Sequence, residues 1–357
     1  MKKILMVLHY PPPVHGASLV GEQIINSGYI KRCFDVDILP LSTRSDLNDG
    51  KVIGKLCKYL KLNVKLFFKL FKKKYDVFYM TPSVSGISFY KDFFLTIYVR
   101  LFINKIVYHF HNKGLQKNKW IPSIISRLFL KESCVILLSD KLKYDVERYV
   151  ENECVYICPN GVDMEANIVS KSIKNVSTIK IMLLSNMIKS KGVFDLIDAC
   201  KMLNNLNVDY ECNLYGPCYD IEKTDLLRYI KTKKIFGKVI YHGGVYGDAK
   251  KEAYKNNHVF VFPTYNDCFP LVLLEAMSYG MPIISTSEGG ISDIVCDSLN
   301  GFIVDKHSPL EITEKIKYLL ENKDVYEELS KNSLEIFADR YSVKAFEQRL
   351  VRILDDI

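Results

Sequence analysis

The sequence predicts an α/β protein built from two doubly wound, Rossmann-like domains. Short apolar runs alternate with longer helical patterns along the whole chain, which is the sign of βα units around parallel sheets. The alternation runs to Val155–Ile157, crosses a polar stretch at Met164–Thr178 and begins again at Ile179. The chain has 357 residues, 48% of them hydrophobic, enough for two cores of ordinary size.

Ile4–Leu8 reads as the first strand, a continuous apolar run stopped by Pro11-Pro12-Pro13. The same stretch mimics a signal peptide, but the run is short and no small-residue cleavage site follows. Val36–Leu39, Val77–Met80, Lys105–His109, Val135–Leu138 and Val155–Ile157 are the next strands. Helical spacing falls between them at Leu19–Tyr29, Gly54–Phe71, Phe89–Phe102, Ile121–Leu130 and Lys141–Tyr149. The second series has strands at Ile179–Leu184, Glu211–Tyr215, Val239–Tyr241, Val259–Phe262, Ile283–Thr286 and Phe302–Val304. Its helices are expected at Val193–Asn204, Asp220–Thr232, Ala249–Asn256, Leu271–Tyr279, Pro309–Glu321 and Asp324–Phe337. We therefore expect domains at 1–165 and 166–340, followed by a helix in 341–357 around Val343–Leu354.

Charge is unevenly spread. Residues 1–165 carry 20 Lys and 5 Arg against 15 acids, while residues 166–357 carry 24 basic and 26 acidic groups. A basic first half beside a near-neutral second half suggests an anionic partner for the first. The ten cysteines form no C-x-x-C pair and read as reduced thiols, as expected in the cytoplasm. No run of apolar residues is long enough to span a bilayer. No repeat and no nucleic-acid motif is present.

The most informative segment is Phe262–Thr286, FPTYNDCFPLVLLEAMSYGMPIIST. It reads as strand, loop, helix, turn, strand. Pro270 suits the start of a helix, and Gly280 and Pro282 end it. A helix N-terminus presents free N–H groups and a partial positive charge, so it can hold a diphosphate. Asp267 before the helix and Glu275 on it are placed to bind sugar hydroxyls on either side of that phosphate.

This segment resembles the E-x7-E signature of retaining nucleotide-sugar glycosyltransferases of family 4, within glycosyltransferase group 1. Here the first acid is Asp, giving D-x7-E. The resemblance implies the GT-B fold, two Rossmann-like domains facing each other across a cleft, with an N-terminal acceptor domain and a C-terminal donor domain. The last helix would cross back onto the first domain. It also implies roles. Asp267 approaches the donor sugar, Glu275 binds the ribose hydroxyls, and the backbone at Cys268, Phe269, Pro270 and Leu271 faces phosphate or sugar. Ser185–Gly192 resembles the family's G-R-x4-K-G segment, whose cations neutralise the diphosphate. Lys191 matches, Asn186 stands where Arg is usual, and Lys189 is placed to supply the missing charge. Tyr241–Val245 corresponds to the stretch whose backbone pairs with the base, so Val245 is a candidate contact.

In the first domain, Gly16 lies in the strand–helix loop that faces the diphosphate in the family, and small residues there permit close approach. A G-x-G-x-x-G nicotinamide fingerprint is lacking. His109-Phe110-His111 ends the fourth strand. The two rings are expected on opposite faces of the strand. His111, nearer the loop, is the candidate beside the transferred sugar. Pro159–Asp163 (PNGVD) reads as a structural turn at the domain junction. Asp35-Val36-Asp37 matches a D-x-D metal motif only superficially, and no metal or other cofactor is expected.

Gly54–Lys74 is a basic amphipathic helix. Apolar positions such as Leu60, Val64, Phe67 and Phe71 recur at helical spacing between many lysines, and acids are absent. Such a helix suits an anionic membrane surface. The expected protein is thus a metal-independent hexosyltransferase on the inner face of the cell membrane. Its acceptor would be a lipid-linked or cell-surface polysaccharide intermediate. A catalytically silent nucleotide-sugar-binding subunit and a sugar-nucleotide epimerase are the alternatives.

Overall fold

The computed structural model describes residues 1–12, 15–41, 52–116, 121–165 and 168–357, with side chains from residue 59 onward in the helix that begins at 52. Pro13, Val14 and part of the Met164–Thr178 stretch lie outside the described residues, as do the side chains of Lys55, Leu56 and Lys58. The chain forms two compact units, Met1–Gly161 with Val343–Ile357, and Val162–Ser342.

The first unit has strands β1 (Lys3–His9), β2 (Asp35–Leu41), β3 (Val77–Met80), β4 (Lys105–His109), β5 (Ser133–Leu137) and β6 (Val155–Ile157). They form one parallel sheet in the order β2-β1-β3-β4-β5-β6. Its helices are α1 (Gly16–Asn26), α2 (Gly28–Cys33), α3 (Val52–Lys72), α4 (Gly86–Val99) and α5 (Ser123–Leu130). The sheet is apolar on both faces because helices cover both. On one face Ile4, Met6, Leu8, Tyr79 and Val107 pack with Val20 and Ile24 of α1.

The second unit has β7 (Ile179–Leu184), β8 (Tyr210–Tyr215), β9 (Val239–Gly243), β10 (Val259–Phe262), β11 (Ile283–Ser285) and β12 (Gly301–Ile303) in the order β12-β11-β10-β7-β8-β9. Helices α6 (Val193–Asn205), α7 (Lys223–Thr232), α8 (Gly247–Asn256), α9 (Leu271–Ser278), α10 (Ile291–Ile294), α11 (Pro309–Glu321) and α12 (Lys323–Arg340) surround it. Ile181, Leu183, Leu196, Val261, Ile284 and Ile312 are among its fully buried core residues. Helix α13 (Val343–Asp356) follows, and its Phe346, Leu350 and Leu354 lie in the core of the first unit.

The strands match the sequence reading closely because buried parallel strands are continuous apolar runs. The helices differ in three places. Leu19–Tyr29 is not one helix. Ser27 donates its backbone N–H to Ile24 O and accepts from Ile30 N on its side chain, so it closes α1 and caps α2. Lys141–Tyr149 is not α-helical; a tight 3-10 turn covers Asp140–Asp145. Asp145 there turns inward and accepts the N–H groups of Gly114, Leu115 and Gln116 at 2.7, 3.0 and 2.9 Å. The four-residue α10 was not anticipated, being too short to show a helical period.

Most of the described part of Met164–Thr178 is held on the second unit. Ile173 is in its core. Lys171 Nζ donates to the carbonyls of Tyr254, Lys255 and Asn257, capping the end of α8.

Candidate functional site

Each sheet has one place where the chain's progress across it reverses. In the second unit this lies between β7 and β10, and such a crevice at strand C-terminal ends is where open α/β sheets bind ligands. The loop after β7 brings Lys191 there and the loop after β10 brings Asp267. Lys191 Nζ is 2.7 Å from Asp267 Oδ2, both side chains are 18% exposed, and Nζ also donates to Asn266 O at 2.9 Å. Asp267 Oδ1 accepts from Cys268 N at 2.8 Å. The carboxylate is thereby fixed at the entrance to α9, and the cation lies against it.

Two glycines make this possible. Gly192 follows Lys191 in the left-handed region at φ +71°, and a Cβ there would stand 2.1 Å from Pro263 O. Gly289, at φ +58°, lies so close under the loop that a Cβ would meet Asp267 O at 2.5 Å. Gly290 N then donates to Cys268 O at 2.8 Å. The Glu288-Gly289-Gly290 turn was missed in the sequence. Two consecutive glycines were its only signal.

Cys268, Phe269 and Pro270 are buried and Leu271 half-buried, leading into α9. Glu275, one turn along, is held from two sides. Lys250 Nζ is 2.6 Å from Oε1, and Tyr254 Oη donates to Oε2 at 2.7 Å. Burial, with Glu275 beside it, holds the Tyr254 hydroxyl well above its ordinary pKa, so it stays a donor. These partners come from α8. Sequence spacing gave no sign of them, since contact between α8 and α9 is tertiary.

Asn186 and Lys189 are exposed on the loop after β7. Lys189 N donates to Asp220 Oδ1 at 2.8 Å, and its ammonium has no ion pair among the described residues. Val245 is half-buried just beyond β9. Nearby, His242 stacks on Tyr215 with ring centroids 4.5 Å apart and interplanar angle 14°, and its Nε2 lies 2.6 Å from Asn213 Oδ1.

The remaining candidates, Gly16 and His111, belong to the first unit. Gly16 is exposed as the first residue of α1. His15 before it caps that helix, its Nδ1 accepting from Ser18 N at 3.2 Å. The expectation that His109 and His111 point apart is corrected: their ring centroids are 4.3 Å apart. Residues two apart along a strand line the same face, so the alternation itself brings the two rings together at the end of β4. His109 Nδ1 lies 2.6 Å from Tyr79 Oη. Burial pushes the His109 pKa down to about 3. Burial, then the neighbouring His109 and His9, holds His111 well below its ordinary value, against an opposite pull from Asn160. Neither ring nitrogen of His111 makes a hydrogen bond among the described residues. His111 is therefore a neutral polar group, and Asp145, through Gly114–Gln116, fixes the loop that follows it.

Asp35 and Asp37 are occupied structurally. Lys73 bridges both at 2.9 Å and Lys69 binds Asp37 at 2.7 Å, tying α3 to β2. Among the described residues no cluster of three His, Cys, Asp or Glu side chains could hold a metal ion.

Residues 164–335 match the family model for Glycosyl transferases group 1, a match that lies within the second unit. A sucrose synthase from Melioribacter roseus is 30% identical over 168 residues, 44% of this chain and 20% of that protein. An uncharacterized glycosyltransferase of Methanocaldococcus jannaschii is 26% identical over 225 residues, 62% of this chain and 60% of that protein. The chain thus spans less than two thirds of either relative. Among solved structures, Anabaena HepE in complex with UDP has a TM-score of 0.74 at 18% identity, covering 100% of both chains. That likeness is one of fold, and the fold is GT-B.

Proposed function

We propose that this protein is a retaining glycosyltransferase that moves a hexose from a nucleoside-diphosphate donor to a hydroxyl of a lipid-linked or cell-surface polysaccharide intermediate. The observation that carries the reading is the Lys191–Asp267 pair at the mouth of α9, with Glu275 held by Lys250 and Tyr254 behind it. It lies within the segment that matches the family model. The UDP bound by HepE supports a uridine nucleotide as the first donor to try.

In this reading the donor diphosphate displaces Asp267 from Lys191 and takes the ammonium and the first N–H groups of α9. Asp267 is then released toward the sugar hydroxyls, and Glu275 accepts from the ribose. As the bond from the anomeric carbon to the phosphate oxygen breaks, charge grows on the diphosphate. Lys191, Lys189 and the helix end stabilise that charge more than the ground state, which is what lowers the barrier. The acceptor oxygen bonds to the anomeric carbon on the face the phosphate leaves, and its proton passes to the departing phosphate oxygen. Burial keeps the His111 imidazole well below its ordinary pKa, so it is a poor proton acceptor and leaves that role to the departing phosphate. The scheme draws all its charge stabilisation from side chains and backbone and requires no metal.

No helix among the described residues is long and apolar enough to cross a membrane. Helix α3, basic and amphipathic, supports peripheral attachment to the inner face of the cell membrane.

The test is to incubate the protein with a panel of nucleotide sugars, with and without a lipid extract, and measure released nucleoside diphosphate. Acceptor-stimulated release from one donor, lost in Glu275→Ala, is the expected result. Proton NMR of the product should show the donor's anomeric configuration kept. Nucleotide binding without turnover on any acceptor would overturn the transferase reading in favour of a silent subunit.

A further inference from the structure

In the first unit, β2 to β3, β3 to β4 and β4 to β5 all advance in one direction across the sheet. Right-handed crossovers therefore lay α3, α4 and α5 on one face. The helices are tied side by side. Tyr59 Oη donates to Lys91 O at 2.8 Å and Tyr98 Oη to Asn63 Oδ1 at 3.0 Å, joining α3 to α4. Arg100 Nη2 donates to Phe129 O at 2.8 Å, joining α4 to α5.

Their outer surface is apolar where water would favour polar residues. Phe67, Phe71, Phe94, Leu101 and Leu128 are exposed, Phe71 by 63% and Leu101 by 80%. Phe71 meets Phe102 at 4.9 Å between centroids, so the stripe of α3 continues beyond the end of α4. Beside it, between α4 and α5, opens a groove of about 440 Å³ walled by Phe93, Ile97, Ile103, Leu128 and Phe129. Arg100, Lys131 and Glu132 also line it, with Glu132 paired to Lys131 at 3.4 Å. The three helices carry seven Lys and one Arg against one acid, Asp92, which is buried.

An apolar face this wide on a soluble unit marks a docking site. Its basic fringe repels a second copy of itself and attracts an anionic apolar partner. We propose that the groove between α4 and α5 takes one hydrocarbon tail of an anionic phospholipid, with the headgroup phosphate at Arg100 and Lys131. This rests on the membrane attachment of α3 proposed above and extends it from a surface contact to a lipid-binding site.

Two binding measurements separate the claims. The first is titration with monomeric short-chain phosphatidylglycerol, where no bilayer exists. The second is cosedimentation with phosphatidylglycerol/phosphatidylcholine vesicles. Leu128→Glu and Ile97→Glu put a charge on the groove wall at exposed positions, where folding is spared. They should weaken short-chain lipid binding by at least about tenfold. Lys61→Glu with Lys65→Glu should abolish vesicle binding and leave short-chain binding unchanged. Vesicle binding lost in the lysine variant with no short-chain binding by wild type would overturn the groove and keep the attachment. Short-chain binding equal in wild type and Leu128→Glu would also overturn it. So would a wild-type dimer that Leu128→Glu dissociates, because a second copy would then cover the face.

Discussion

The two units present their candidate residues in opposite electrostatic states. In the second, every carboxylate of the site is already matched: Asp267 by Lys191, Glu275 by Lys250 and Tyr254. In the first, His111 is buried, uncharged and without a hydrogen bond among the described residues. Both sit at C-terminal ends of parallel strands, so topology alone does not produce the difference. It comes from what the loops import. Helix α8 brings a lysine and a tyrosine to Glu275, whereas His111 has beside it the imidazoles of His109, His9 and His15 and the amide of Asn160. A charged site is suited to an anionic leaving group. A neutral one is suited to hydroxyls, for which a fixed charge would cost desolvation without return.

Removing the charge at its centre should break this contrast most. Lys191→Ala should lower kcat about 100- to 1000-fold, as for loss of one transition-state donor. Lys191→Arg should recover part of it, read by nucleoside diphosphate release. Glu275→Gln should keep the Tyr254 hydrogen bond but lose the charge facing Lys250. We expect kcat/KM for the donor to fall about 10- to 100-fold, chiefly through KM. An unchanged KM would remove Glu275 from the ribose.

The first unit is tested by acid. In the unfolded chain histidine titrates near 6.5, while burial lowers His109 to about 3 and His9 to about 4. A lowered histidine contributes stability that is complete above about 6.5 and lost as pH falls below it, by up to about 1.4 kcal/mol per pH unit for each. Asp92 works the other way over about pH 4 to 7, because burial raises it to about 7. The informative quantity is therefore the difference between wild type and His111→Asn in urea unfolding at pH 7 and pH 5. The variant should lose less on acidification, and an equal loss would mean His111 is charged. The smallest effect belongs to Lys189→Ala. A cation that is exposed and makes no ion pair among the described residues should change donor KM about threefold and only at low salt.

The sequence exposed the strands and the α9 segment because their signals are local: continuous apolar runs, a proline at a helix start, a glycine at its end. Ser27 hid its double capping role because Ser sits unremarkably inside an apolar spacing. Asp145 gave no sign that it would gather three backbone N–H groups from a loop 29 to 31 residues away. Lys250 and Tyr254 were equally silent, lying on a helix 21 to 25 residues before Glu275. Such partners are set by how helices pack, and no period in one segment reports on another. The misreading of His109 and His111 had a different origin, a misapplied period: residues two apart on a strand share a face.

The course of α13 bears on how the molecule is made. Phe346, Leu350, Ile353 and Leu354 belong to the core of the first unit, yet the ribosome adds them after the whole of the second. The second unit is contiguous and has its entire core as soon as Ser342 has emerged. The first must wait, with the hydrophobic bed under α13 open, through the synthesis of 181 further residues. The half that is born first is finished last, and during that interval it is the natural client for a chaperone.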